Sequence, residues 1–152
     1  MKYLIFNTSE NWASIMLRIV LGTIIFIHGI GKLEGEGYSQ FIYFFTEYLR
    51  MPIILAWLTI AIETVGSLLL IVGFATRINA IMLFGLFVGM ITFVHWDIGF
   101  SMNWWGQLEA GQEGFEYHLL VLAMSGALAL LGGGKLSVDL LLFNPQPDAK
   151  TF

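Results

Sequence analysis

Five ionisable side chains lie inside otherwise apolar stretches of this chain, where burial of a charge is costly and usually signals a partner or a function. Arg18 and Glu63 lie well within two such stretches, and His28, His95 and His118 lie near the ends of three. A carboxylate and imidazoles can exchange protons or hydrogen-bond a polar ligand near neutral pH. We therefore take these five residues as the candidate ligand-binding set, and their pattern assigns no catalytic residue.

Arg18 and Glu63 are predicted to form an ion pair between two antiparallel helices. Thr59, Glu63 and Ser67 are spaced by four residues, so they form one polar stripe on a helix. Arg18 lies about 6 Å from the middle of its own segment, within reach of its long side chain. Two interpretations stay open: the pair fixes the register of the helices, or Glu63 takes up protons or contacts a ligand.

The three histidines are predicted to lie at one membrane depth, near the outer ends of their helices. Helical spacing points His118 into the bundle. The imidazoles could hydrogen-bond a quinone head group, bind a metal ion, or simply lie at the membrane interface. No metal site is predicted, because the helical zinc motifs are absent and the histidines come from three different helices. His28, His95 and His118 remain the alternative metal-ligand set.

Charged residues divide the chain into four apolar runs, each near the roughly 20 residues that a helix needs to cross a bilayer. The runs are Trp12–Gly31, Met51–Thr76, Ile78–Trp96 and Tyr117–Gly134. Between the first two, Tyr38–Leu49 alternates aromatic with polar residues and is predicted to form an interfacial helix. The predicted fold is all-α, a transmembrane four-helix bundle with a short interfacial helix after the first span.

The composition supports a single membrane domain and excludes several chemistries. The chain has 152 residues, 57% hydrophobic and 12% charged, with a mean hydropathy of +0.78 and a net charge of −4. One transmembrane domain is expected over residues 1–143, followed by a short C-terminal tail at 144–152. The chain has no cysteine, so neither thiolate chemistry nor a covalent or cysteine-ligated cofactor is expected. The lipid bilayer is the expected partner, and nucleic acid is not.

The basic residues predict the orientation of the chain. More of them lie on the side of the termini than on the opposite side: Lys2, Arg77, Lys135 and Lys150 against Lys32 and Arg50. Cytoplasmic loops carry the excess of Lys and Arg, so both termini are expected in the cytoplasm.

Two pairs of glycines are predicted at helix–helix contacts. Gly22 and Gly29 share a face of the first helix, and Gly85 and Gly89 form a G-x-x-x-G in the third. Small residues let membrane helices approach closely, so each pair is expected to face another helix.

Four stretches in order carry a resemblance to a known family. They are RIVLGTIIFIHGIGKL at 18–33, ETVGSLLLIVGFATR at 63–77, VHWDIGF at 94–100, and EYHLLVLAMSGALALL with GGGKLSVD at 116–139. In these stretches the chain resembles the DoxX family of bacterial four-helix membrane proteins. The resemblance implies residence in the bacterial inner membrane, and it links the chain to quinone or oxidative-stress systems, since the family name comes from a subunit of a thiosulfate:quinone oxidoreductase. Gly133 departs from the family, where many members have proline.

The leading hypothesis is a redox-associated subunit that contacts quinone in a polar pocket at the outer ends of the helices. Such a subunit would not be catalytic alone and would act with a redox partner protein. A second hypothesis is a non-enzymatic scaffold or assembly factor for another membrane protein. A third is a small-molecule transporter, for which four helices make a narrow pathway and a homo-oligomer would be needed.

Overall fold

A computed structural model describes residues 6, 8, 10–106, 108–109 and 112–143, and the predicted tail at 144–152 lies outside them. The described residues form helices and connecting segments and contain no strand, which confirms the all-α prediction. The helices are α1 (Ala13–Gly31), α2 (Gly37–Tyr43, continued by a π-helical turn at Phe44–Tyr48), α3 (Ile53–Val72), α4 (Thr76–His95), α5 (Glu116–Leu131) and α6 (Val138–Phe143).

Four of these helices pack into a bundle. α1 contacts α3 and α5, and α4 contacts the same two helices from the other side, so the four close into a ring. By length and composition α1, α3 and α4 can each cross a membrane, whereas α5 is apolar but has only 16 residues. The short α2 follows the first span, as predicted, and packs against α3. The last helix, α6, was not predicted from the sequence.

Backbone geometry explains where the helices end. α3 begins after Pro52, and it ends at Gly73, whose φ of 74° is a left-handed helix cap. Ala75 has a φ of 48°, and α4 begins directly after it. Hydropathy depends on composition and does not detect such caps. The predicted second run, Met51–Thr76, therefore extends past both ends of α3.

The outer surface of the bundle is apolar. Met16, Ile54 and Leu130 are 70%, 67% and 78% exposed, while Leu21 and Leu128 are buried in the core. A soluble protein rarely exposes large apolar patches of this kind, and lipid covers them without cost. The bundle is therefore built for a bilayer, with a small packed interior.

Arg18 is a buried clamp at the end of the bundle that holds the α3–α4 turn. Its side chain is 3% exposed. Its guanidinium donates hydrogen bonds to the backbone carbonyl oxygens of Ile71, of Leu136 at 2.6 Å and of Lys135 at 3.2 Å. A planar guanidinium can serve several acceptors at once, which a lysine ammonium does less well. Arg18 thus ties α1 to the end of α3 and to the segment that leads into α6.

Asp139 completes this clamp from α6. Its carboxylate accepts hydrogen bonds from the backbone N–H groups of Ala75 at 2.7 Å and Thr76 at 2.9 Å, at the start of α4. Its own N–H donates to the carbonyl of Gly73 at 2.9 Å. A carboxylate at a helix N-terminus satisfies donors that the helix leaves free and complements its dipole. α6 therefore anchors the turn between α3 and α4.

Arg18 does not contact Glu63, and the ion pair predicted between them is wrong. A Cβ on Gly29 would lie 2.8 Å from the Glu63 carbonyl carbon, and a Cβ on Gly22 would lie 2.6 Å from the Ile71 side chain. These glycines face α3, as predicted, and they fix the register of the two helices. Arg18 is eleven positions from Gly29, about 16 Å along the helix axis, so the register separates it from Glu63.

Substitution of Gly73 tests the clamp. Gly73→Ala should lower the free energy of unfolding by roughly 2–4 kcal/mol, because alanine disfavours the left-handed backbone and its Cβ would meet Ser137. That Cβ would lie 2.5 Å from the Ser137 Cβ and 2.9 Å from the Arg18 Nη1. The measurement is an SDS titration of the detergent-purified protein, followed by circular dichroism.

Gly126→Ala in α5 is the matched control for Gly73→Ala. A Cβ there would meet Phe84 at 3.6 Å, an ordinary contact, and the helix gains about 0.5–1 kcal/mol from loss of the glycine. Equal unfolding midpoints for the two alanine variants would contradict the clamp.

Candidate functional site

A partly buried ion pair between Lys32, just beyond α1, and Glu63 of α3 lies at the end of the bundle away from the Arg18 clamp. The Lys32 Nζ lies 2.5 Å from the Glu63 Oε2, with the two side chains 21% and 2% exposed. Gly29 brings the two helices together at this level, which lets Lys32, just beyond the end of α1, reach into α3. The Lys32 ammonium also lies 5.2 Å above the ring of Phe41 in α2. The partner of Glu63 is thus Lys32, which the sequence analysis did not include in the site.

Two of the candidate residues lie in π-helical turns. Glu63 belongs to the turn Ile62–Gly66 within α3, and His95 ends the turn Ile91–His95 of α4. A π-helical turn widens a helix by one residue, and such turns recur at functional sites. Both helices therefore depart from regular geometry at the level where the ionisable side chains gather.

The histidines lie at this same end of the bundle, as predicted. The rings of His95 and His118 are 4.2 Å apart, and the ring of His28 lies 6.3 Å from that of Tyr117. His118 is 7% exposed, which confirms that it points into the bundle, and its Nδ1 is buried without a hydrogen-bond partner. His28 is exposed on α1 and interacts electrostatically with Glu63.

The alternative three-histidine metal site does not form. Among the residues that the structure describes, no group of three His, Asp or Glu side chains is placed to hold a metal ion. His28 is in ring contact with Tyr117, while His95 and His118 contact each other. The rings come from α1, α4 and α5, and the packing of these helices holds the His28 ring apart from the other two rings.

Tyr117 is a polar residue of this cluster that the sequence analysis missed. Its hydroxyl oxygen is buried and has no hydrogen-bond partner, and its ring lies between those of His28 and His118, at 6.3 and 5.9 Å. It also interacts electrostatically with Glu63. Tyr117 lies next to His118 in the chain, so helical spacing alone does not place both side chains in one cluster.

A large apolar cavity of about 610 Å³ opens between α2, α3 and α4. Its wall is made almost entirely of apolar and aromatic side chains, with Thr59 and His95 as the polar ones. The lining residues are Phe41, Phe44, Phe45, Leu49, Met51, Leu55, Leu58, Thr59, Ile62, Met82, Gly85, Leu86, Gly89, Met90, Phe93, Val94 and His95. Of the five candidate residues, His95 alone lines it, and through its ring contact His118 lies directly behind.

Gly85 and Gly89 face this cavity instead of a neighbouring helix. A Cβ on either residue would meet no atom within 4 Å, so the predicted helix–helix contact through the G-x-x-x-G of α4 is wrong. The absent side chains leave room in the cavity wall, which is how this pair contributes to the volume. A G-x-x-x-G pattern indicates a helix face without large side chains, but it does not show whether another helix packs against that face.

The loop before α5 fixes the His95 ring. Its Nδ1 lies 2.7 Å from the backbone carbonyl oxygen of Glu113. The Glu113 carboxylate accepts a hydrogen bond from the Asn103 N–H at 2.7 Å, and the Glu116 carboxylate accepts one from the Trp104 indole at 3.2 Å. Glu113 in the loop and Glu116 at the start of α5 thus organise this loop, and the loop orients the imidazole at the edge of the cavity.

The chain is similar to known proteins over most of its length. The family model described as DoxX matches residues 13–96. A protein of Bacillus subtilis (strain 168) named "Putative oxidoreductase CatD" is 31% identical over 138 residues, which cover 90% of this chain and 92% of that protein. No solved structure matches the chain. The range 13–96 contains α1 to α4 and every residue that lines the cavity.

Proposed function

Because this chain belongs to the DoxX family of membrane proteins, we propose that it is a redox-associated membrane subunit that contacts quinone in the cavity between α2, α3 and α4. The relative from Bacillus subtilis carries the name of an oxidoreductase, which supports a redox context. The chain has no cysteine, so electrons would come from a bound cofactor or a partner protein. The subunit would therefore work with a redox partner and would not be catalytic alone.

The observation that carries this proposal is the cavity itself. Its volume of about 610 Å³ lies within the range of small-molecule sites, which are mostly apolar with a few placed polar groups. Phe41, Phe44, Phe45 and Phe93 offer ring faces and edges to a flat head group. His95 supplies a polar nitrogen at the edge, where the polar head group of the ligand could be hydrogen-bonded.

The proposed placement puts the His95 end of the bundle at the outer leaflet of the bacterial inner membrane. The termini then lie in the cytoplasm, where the excess of Lys and Arg belongs. Trp104 and Trp105 are 72% and 86% exposed in the loop beside His95, and tryptophans of this kind anchor a protein at the lipid headgroups. A quinone dissolved in the bilayer would enter the cavity from the side, with its head group at interfacial depth.

Blocking the cavity tests the proposal. Gly89→Leu adds a side chain where a Cβ meets open space, so the fold should be kept and quinone binding should fall at least tenfold. The measurement is equilibrium binding of a decyl-substituted benzoquinone to the protein in phospholipid nanodiscs, corrected with empty nanodiscs. Ala61→Leu is the matched control, since Ala61 is exposed on α3 and does not line the cavity.

Two outcomes would contradict the proposal. The first is wild-type protein that binds neither the benzoquinone nor its hydroquinone above the level seen with empty nanodiscs. The second is equal loss of binding in the Gly89→Leu and Ala61→Leu variants, which would show that the cavity is not where the ligand binds. The first result would favour a role as a scaffold for another membrane protein.

A further inference from the structure

The two polar side chains that line the cavity, Thr59 and His95, are left with hydrogen-bond acceptors. The side-chain donors that the wall contains belong to Thr59 and His95, and each is already used by a backbone carbonyl. A ligand that brings only acceptors, as an oxidised quinone does, finds no side-chain donor among the described residues of the wall. A ligand that brings a hydroxyl group finds two acceptors.

Thr59 is the first of these acceptors. Its side chain is 2% exposed, and its hydroxyl donates to the carbonyl oxygen of Leu55 at 2.9 Å, one turn earlier in α3. A hydroxyl has one proton and two lone pairs, so the Thr59 oxygen can only accept a further hydrogen bond. The helix itself therefore fixes the polarity of this group.

His95 is the second acceptor. A carbonyl oxygen can only accept, so the 2.7 Å contact with the Glu113 carbonyl places the proton on the Nδ1 of the His95 ring. In the neutral imidazole the remaining nitrogen, Nε2, then carries a lone pair and accepts. The loop thus selects one tautomer of the residue at the edge of the cavity.

The backbone N–H groups of Leu49 and Met51, the non-helical lining residues that the structure describes, are already engaged. The N–H of Leu49 donates to the Phe44 carbonyl and that of Met51 to the Phe45 carbonyl, both at 2.9 Å. These are the lining residues between α2 and α3, where helical hydrogen bonds do not account for the N–H groups. The remaining lining residues lie in helices, whose N–H groups are engaged in the helix itself.

We infer that the cavity is selective for the hydroxyl-bearing, reduced form of its ligand, a hydroquinone with an apolar tail, which donates hydrogen bonds to Thr59 and His95. This inference rests on the proposed function and specifies the chemical form that is bound. When an oxygen of the oxidised ligand faces Thr59 or His95, two acceptors meet and no hydrogen bond forms. The desolvation of both groups is then not compensated, so the oxidised form binds less tightly. The aromatic side chains of the wall can contact the ring of either redox form. Thr59 and His95 distinguish the reduced from the oxidised form.

The test compares both forms of one molecule. The probes are decyl-benzoquinone, its hydroquinone and the dimethyl ether of that hydroquinone, bound to wild-type protein in nanodiscs without oxygen. We expect the hydroquinone to bind about tenfold more tightly than either other probe, since the two hydrogen bonds together correspond to about that factor. His95→Phe and Thr59→Val should each reduce the preference about threefold, because each removes one of the two acceptors and leaves the other.

The outcomes separate this inference from the proposed function. Equal binding of all three probes to the wild-type cavity would overturn the selectivity while leaving the quinone site in place. Binding of none of them would overturn both. A tenfold preference that survives in Thr59→Val and in His95→Phe would overturn the assignment of the acceptors. Because Thr59→Val is nearly isosteric, it keeps the test decisive even if the His95→Phe protein does not fold.

Discussion

Replacement of Arg18 by methionine is expected to lower the free energy of unfolding by about 3–5 kcal/mol. The guanidinium is 3% exposed and serves the carbonyl oxygens of Ile71, Lys135 and Leu136. Methionine keeps much of the side-chain volume but leaves those carbonyls without their charged donor. Since small domains are stable by only about 5–15 kcal/mol, much of the protein should then be lost to aggregation during purification.

The measurement is the SDS fraction at the unfolding midpoint, followed by circular dichroism in detergent. Arg18→Lys should recover part of the loss, because an ammonium keeps the charge but cannot reach all three carbonyls. Arg50→Met is the matched control, since it removes the same charge from an exposed position between α2 and α3. Equal midpoints for Arg18→Met and Arg50→Met would show that the clamp contributes nothing to stability.

Replacement of Lys32 by methionine is expected to cost about 3–5 kcal/mol, because it strands the Glu63 carboxylate inside the bundle. Glu63 is 2% exposed, and its Oε2 is paired with the Lys32 ammonium. Taking away one partner of a buried pair removes the attraction while the desolvation of the other remains. The same SDS titration measures the effect.

The double variant Lys32→Met with Glu63→Gln distinguishes an ion pair from simple packing. It should recover at least half of the stability lost in Lys32→Met, since no unpaired charge then remains in the interior. Glu34→Gln is the control, because Glu34 is exposed and lies two residues from Lys32. Additive losses in the double variant would mean that the two side chains are not coupled, and the ion pair would then have no energetic role.

Hydropathy predicted the membrane helices within a few residues, because burial in lipid depends on composition alone. It could not predict which interior charges meet. Arg18 and Glu63 lie near the middle of their runs. The contacts that Gly22 and Gly29 make with α3 offset the two helices along their axes, so the two charged side chains lie at different levels. Register depends on where backbones touch, and a single sequence shows only that glycine permits a close approach.

The candidate site was predicted in part. The depth of the three histidines follows from their positions in their helices, and the structure gathers them at one end of the bundle as expected. Lys32 was counted only as a boundary charge, since it follows the last residue of α1. The cavity lies outside what periodicity can show, because it arises where α2 and α4 stand apart across the open face of Gly85 and Gly89.

The short length of α5 has a consequence for the surrounding lipid. Its 16 residues span about 24 Å, whereas the 20 residues of α3 span about 30 Å, close to the full thickness of a hydrocarbon core. The helix α5 is thus about 6 Å shorter than α3, and a short span is accommodated by local thinning of the bilayer or by snorkelling of the flanking side chains. The bilayer around the protein is therefore expected to be thinner beside α5 than beside α3.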